Sequence, residues 1–240
     1  MGNNYAVEGS RSCLSLSPAS SVPDNAMFQL SVQLEALLTR HAGFPHLPDD
    51  ALYIVFSGRN DIIDVIFDSS SGKINGREAR RRLRESAQSL LAGVRSLFDA
   101  GARYVLLIGI PSLGDFPCFS SFPNDGGVIQ SLASRLTEDF NLYVQDEIDS
   151  VECETGLSVA QADIFDVVTR ARGSESGKMF LDEMNPSTEM HRFIANAVMK
   201  SLGRQACRKG FPEKNMQNCK KYDDSGKKKE VRNRMSSLHY

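Results

Sequence analysis

The stretch Ala51-Leu52-Tyr53-Ile54-Val55-Phe56-Ser57-Gly58-Arg59-Asn60-Asp61 (residues 51–61) is apolar without a break for six residues and then turns abruptly polar at Ser57 and Gly58. An uninterrupted apolar run of that length suits a strand buried on both faces, which is how strands of a parallel sheet read. Working outward, Tyr104 to Ile110 repeats the pattern and closes at Pro111, and Leu157 to Ala162 reads as a short third strand. Long amphipathic segments lie between and around them. Met27, Leu30, Leu34, Leu37 and Leu38 mark a helix within Asp24 to Gly43, and Leu83, Ala87, Leu90, Leu91, Val94, Leu97 and Phe98 stripe one from Glu78 to Asp99. Ile129 to Val151 continues helical, Ile164 to Arg172 gives a turn or two, and Thr188 to Leu202 gives a last helix. Apolar residues recurring every three or four positions make these segments amphipathic. Strands alternating with long helices predict an α/β fold with a doubly wound parallel sheet, helices on both faces, and a site at the carboxyl ends of the strands.

Composition narrows the class. With 240 residues, 41% hydrophobic and 24% charged, the chain can bury one sizeable core. No apolar run reaches the roughly 20 residues that span a bilayer, and Met1 to Arg11 lacks the order of a signal peptide, so the expected location is the cytoplasm. The five cysteines have no CxxC spacing and are odd in number, so neither a full disulfide framework nor a zinc site is expected. Charge divides the chain into residues 1–203 and a tail, 204–240. The tail carries 11 Lys and Arg against 4 Asp and Glu, which leaves −9 on the rest. Such a tail cannot bury enough apolar surface to order itself and is expected to be disordered, with an anionic partner its only candidate ligand. The core domain shows no nucleic-acid signature, no GxGxxG or P-loop after a strand, and no spacing that would hold a metal. No cofactor is expected. The arginines Arg80, Arg81, Arg82 and Arg84 read as a solvated helix face.

Strand-end loops hold the site in this fold class, which directs attention to Gly58-Arg59-Asn60-Asp61. The glycine permits a tight turn, and the Asn60 amide can serve as a donor to a developing oxyanion; as a bare sequence the four also suit an ordinary turn. The second segment is Phe180-Leu181-Asp182-Glu183-Met184-Asn185-Pro186-Ser187-Thr188, a helix entry with Ser187 or Thr188 as its cap. A third, Asn4-Tyr5-Ala6-Val7-Glu8-Gly9-Ser10-Arg11, stands near the start.

Taken together and in order, NYAVEGSRS, ALYIVFSGRND, ARYVLLIGIPSLGDFP and FLDEMNPSTEMHRFIA resemble the GDSL lipase/esterase family of SGNH hydrolases, whose segments run approximately NYAxGGAxS, strand-GxND, strand-Pro-x-x-Gly and FWDxxHPT. The resemblance spans about Asn3 to Leu202. It implies a three-layer α/β/α, flavodoxin-like SGNH-hydrolase fold and hydrolysis of carboxylic, lipid or carbohydrate esters. It also implies that Gly9 and Asn60 form the oxyanion hole and that Asp182 is the acid of the triad. The position of the catalytic histidine, three residues later, is Asn185. The family's serine lies in a GDSL stretch before NYAxGGA, where this chain has Met1, Gly2 and Asn3, so the resemblance implies an absent nucleophile and an absent first strand.

An asparagine amide has no useful basicity near neutral pH, so the expected triad is incomplete and the enzyme impaired. Of the remaining histidines, His41 ends a helix, His46 sits in a Pro-bounded loop, His239 is in the tail, and His191 is expected to pack or cap the last helix. Ser57 is the best-placed stand-in nucleophile, although it lacks a GxSxG elbow. Without its first strand the sheet would expose the edge of the neighbouring strand, which invites pairing with another chain. The alternatives to an impaired ester hydrolase are a binding or interaction protein and an incomplete gene product.

Overall fold

A computed structural model describes residues 4–7, 10–12, 29–120, 127–172 and 179–209, the last five without their side chains. Three strands, β1 (Leu52–Val55), β2 (Tyr104–Ile108) and β3 (Val159–Ala162), form a parallel sheet in the order β1-β2-β3. Leu52 pairs with Tyr104 and Val105 with Val159. The helices are α1 (Leu30–Arg40), α2 (Arg59–Ser70), α3 (Gly76–Asp99), α4 (Pro117–Ser120), α5 (Val128–Thr155), α6 (Val167–Arg172) and α7 (Thr188–Lys209). The parallel α/β architecture expected from the sequence is therefore present, with helices flanking the sheet. Helix α7 packs on β3, whereas α2, α3 and α5 pack on one another.

The core follows the apolar stripes. Leu83, Ala87, Leu91 and Val94 of α3 are fully buried, and so are Phe140 and Val151 of α5 and Val105, Leu106 and Leu107 of β2. Helix α3 begins at an Asn75 cap whose side chain accepts from the backbone N–H groups of Arg77 and Glu78, satisfying two of the donors a helix start leaves open. Asn141 of α5 clamps the end of β2 by giving its Nδ2 to the Ile110 carbonyl and taking the Ile110 N–H at Oδ1, at 2.8 and 2.9 Å.

Three expectations are corrected. Gly58 to Asp61 is no loop: α2 starts at Arg59, directly after the strand, because Ile62, Val65 and Ile66 share one buried stripe. The α3 arginines are not uniformly solvated. Arg82 is largely buried between Glu78 and Asp68, and Arg84 lies 4.7 Å over the Tyr143 ring. His191 neither packs nor caps; its side chain is exposed, and the cap of α7 is Ser187, whose Oγ accepts from the Met190 N–H at 3.2 Å. The last helix also continues to Lys209, past the expected Leu202. Most of the expected tail lies outside the described residues.

Gly58 is a tightly packed joint of the fold. Its φ of 113° lies in the left-handed region, and a Cβ built there would sit 2.4 Å from Phe140 Cζ in the core. Gly58→Ala therefore combines backbone strain with overpacking and should lower stability by about 2–4 kcal/mol, read from the urea unfolding midpoint. A loss under about 1 kcal/mol would mean that Phe140 has room to move.

Candidate active site

The strand-to-helix joint at Gly58 places Ser57, Asn60 and Asp61 beside the amino-terminal segment. Asp61 has no exposed surface, so its carboxylate must be fully engaged. One oxygen accepts from the Ser12 backbone N–H at 2.9 Å and the other from Ser86 Oγ of α3 at 3.0 Å. Ser12 Oγ in turn lies 2.9 Å from Ser57 Oγ. Arg11 grips Asp64 with Nε and Nη2 at 2.7 and 3.2 Å, and the Arg11 carbonyl accepts from the Leu30 N–H at 3.1 Å. The neighbouring carboxylate holds the Arg11 guanidinium above its usual range. Residues 11 and 12 are thereby tied to α1 and α2 at several points.

Asn60 projects toward the same segment, and its Nδ2 donates to the Ser10 carbonyl at 2.8 Å. The amide thus lies against the stretch that contains Gly9, which itself falls outside the described residues. Ser57 is almost wholly buried, and its hydroxyl meets another hydroxyl rather than a base.

The second element is the loop before α7. Phe180 and Pro186 form an antiparallel bridge, with the Leu181 N–H donating to the Asn185 carbonyl at 2.8 Å and the Ser187 N–H to the Met179 carbonyl at 2.9 Å. Inside this narrow loop Asp182 accepts three hydrogen bonds. Its Oδ1 takes the backbone N–H groups of Met184 and Asn185 at 2.8 and 2.7 Å, and its Oδ2 takes Asn185 Nδ2 at 2.8 Å. The Asn185 amide first, then the two backbone donors, hold the Asp182 carboxyl below its ordinary range. Asn185 thus stands on the acid as a donor.

The two elements meet through α4. The Cys118 N–H donates to the Glu183 carbonyl at 3.0 Å, and the Cys118 side chain touches Met184. Phe116 and Phe180 stack with ring centroids 4.9 Å apart, while Phe119 meets Phe67 of α2 at 6.0 Å. Asn60 and the Asp182–Asn185 pair share no direct bond. The Cys118 thiol is pushed up to about 11, chiefly by burial and then by the Glu183 charge, and is therefore protonated and inert at neutral pH.

A profile of the GDSL-like lipase/acylhydrolase family matches residues 2–198. The chain belongs to the GDSL-like lipase/acylhydrolase family. Among solved structures it is similar to LAE5, an alpha/beta hydrolase enzyme from the metagenome of Lake Arreo, Spain, at 14% identity and a TM-score of 0.42, over 72% of this chain and 67% of that one. A comparison with curated proteins gives no match. Among the described residues no helix is long and apolar enough to cross a membrane, and no group of His, Cys, Asp and Glu could hold a metal. Sequence reasoning missed the Ser12–Asp61–Ser86 bridge, because the partners are 49 and 25 residues from Asp61 and only the fold brings them together.

Two measurements probe these GDSL-like elements. Asp61→Ala strands the Ser12 N–H and the Ser86 hydroxyl in the interior and should lower stability by about 2–4 kcal/mol in chemical denaturation. Because the Asp182 pKa is depressed in the folded loop, its ionised form favours folding at pH above the unfolded aspartate value of about 3.9, and that contribution is lost as pH falls through the depressed folded value. Asn185→Ala removes the largest cause and should move the Asp182 midpoint upward in a carboxyl-carbon NMR titration. An unmoved midpoint would assign the depression to the backbone donors alone.

Proposed function

We propose that this chain is a GDSL-type ester hydrolase relative whose hydrolytic chemistry is impaired at the base, with a cleft suited to carboxylic, lipid or carbohydrate esters. The observation that carries the reading is the 2.8 Å hydrogen bond from Asn185 Nδ2 to Asp182 Oδ2. In a serine hydrolase triad, the acid receives the histidine's Nδ1–H, and the far ring nitrogen takes the proton of the attacking hydroxyl. The Asn185 amide reproduces the first half of that arrangement. It has no second nitrogen and no basic lone pair, so the hydroxyl proton has no acceptor at that position. Asp182 is exposed and already accepts three donors, which makes it a poor replacement base.

The electrophilic side of the site is less disturbed. Asn60 sits against Ser10, beside the Gly9 position, and retains a second amide hydrogen that can be given to an oxyanion. Donors of this kind sustain about 10³ to 10⁴-fold acceleration over water when the triad itself is lost. The reading therefore allows a feeble hydrolase that binds its ester better than it cleaves it.

The test is hydrolysis of a short-chain aryl ester by the purified chain, with labelling by a serine-directed phosphonate. The wild type should remain unlabelled, and its turnover should stay within the range that oxyanion donors alone supply, about 10⁴-fold over water at most. A wild type that labels with the phosphonate and falls by about 10²-fold or more in Asn60→Ala possesses a working nucleophile and base, which would sink this proposal.

A further inference from the structure

Helix α3 opens with Arg77, Arg80, Arg81 and Arg84, whose spacings of three, four and seven put them on one exposed face. Together with Glu85 and Gln88 they line an open groove of about 390 Å³. Arg81 is neutralised there by Glu78 and Glu85, and Arg82 beside it is held by Glu78 and Asp68. Arg77, Arg80 and Arg84 have no carboxylate partner among the described residues. Arg80 folds back over Gly76, where an added Cβ would lie 3.8 Å from its Nη1, and Arg84 rests 4.7 Å over the Tyr143 ring. Stability gives no reason for this stripe. Like charges three or four apart on a helix repel, and cations at a helix start oppose its dipole.

We propose that this groove binds a compact phosphate-bearing anion with two or more phosphoryl groups, gripped by the guanidinium forks of Arg77, Arg80 and Arg84. Such forks match phosphate oxygens two at a time, and an arginine stacked on a ring still presents its N–H edges. Charge singles the groove out. Residues 68–88 carry six Lys and Arg against three Asp and Glu, a net +3, whereas residues 1–203 sum to −9, so the rest of that span stands at −12. A positive island on a negative domain concentrates a small polyanion at the groove, while the surrounding charge disfavours a broad one. No stretch of this sequence outside the described residues is acidic by more than one charge, so the counter-charge comes from another molecule. The lining contains no apolar side chain to enter a bilayer, as membrane-docking helices do. The groove shares no residue with the candidate active site.

Inorganic tripolyphosphate is the probe, and arginine-selective modification of the full chain by phenylglyoxal, mapped by peptide mass spectrometry, is the readout. Mapping by residue separates the groove from the basic residues 204–240. Half-saturation should fall below about 1 mM. At about ten times that concentration mass action leaves about a tenth of the sites open, so modification of Arg77, Arg80 and Arg84 should slow about tenfold. Arg40, exposed on α1, should react as before. The double variant Arg77→Lys with Arg80→Lys keeps the charge and loses two forks, so protection of Arg84 should need at least about tenfold more tripolyphosphate. Both positions are exposed, and the circular dichroism of the variant should match the wild type. The proposal is overturned by no protection up to about 1 mM, by equal protection of Arg40, or by a lysine variant that binds as the wild type does. Protection by phosphatidylserine vesicles but not by tripolyphosphate would give the stripe to a membrane, and protection that rises with protein concentration alone would give it to a second copy. Either outcome also overturns the proposal.

Discussion

The fully buried Asp61 carboxylate is the constraint on which the site depends. A buried charge that lost its partners would cost several kcal/mol, so each donor that meets it is fixed as firmly as the core. Those donors come from well-separated parts of the sequence: the Ser12 backbone and the Ser86 hydroxyl. One side chain thus ties the amino-terminal segment to α2 and α3. The Arg11–Asp64 pair, one turn further along α2, adds a second tie, and Asn60, one residue before Asp61, donates to the Ser10 carbonyl of the same segment. The Asn60 side of the candidate site is consequently held by contacts that do not include Asp182 or Asn185.

That independence explains how Asn185 can be accommodated. Asp182 takes at Oδ2 the Asn185 amide, the largest of the causes that hold its carboxyl below the ordinary range. On the proposed reading the loop keeps its hydrogen bonds while the chemistry lacks a proton acceptor at this position. Pro186 and Ser187 still deliver the chain into α7, and the Phe116–Phe180 contact still seats the loop on α4. Stability and the proposed chemistry therefore ask different things of position 185.

How much of this was legible in the sequence follows from how local each determinant is. The three strands and the long helices α3 and α5 were readable because apolar runs and helical stripes are short-range signals. Helix α2 was hidden because Asp61, Asp64 and Asp68 interrupt its stripe, and their partners Ser86, Arg11 and Arg82 become visible only once α3 and the amino-terminal segment are docked. Arg82 was taken for a solvent residue for the same reason. Asp182 and Asn185 were legible as a pair only through the resemblance to the family's FWDxxHPT segment. Gly9 lies outside the described residues, while the orientation of Asn60, toward the Ser10 carbonyl, is a tertiary fact that no motif encodes.

Strand β1 leads directly into the candidate site and lies at one end of the described sheet. Its carboxyl end must hold Gly58 in a strained, tightly packed joint against Phe140. Ile54, and Phe56 just beyond the strand, stay half in water, each forgoing roughly 1–1.5 kcal/mol of the 1.5–3 kcal/mol that full burial of such a side chain provides. The strand is therefore anchored at its end, by Gly58 and the Asp61 bridge, more than along its length.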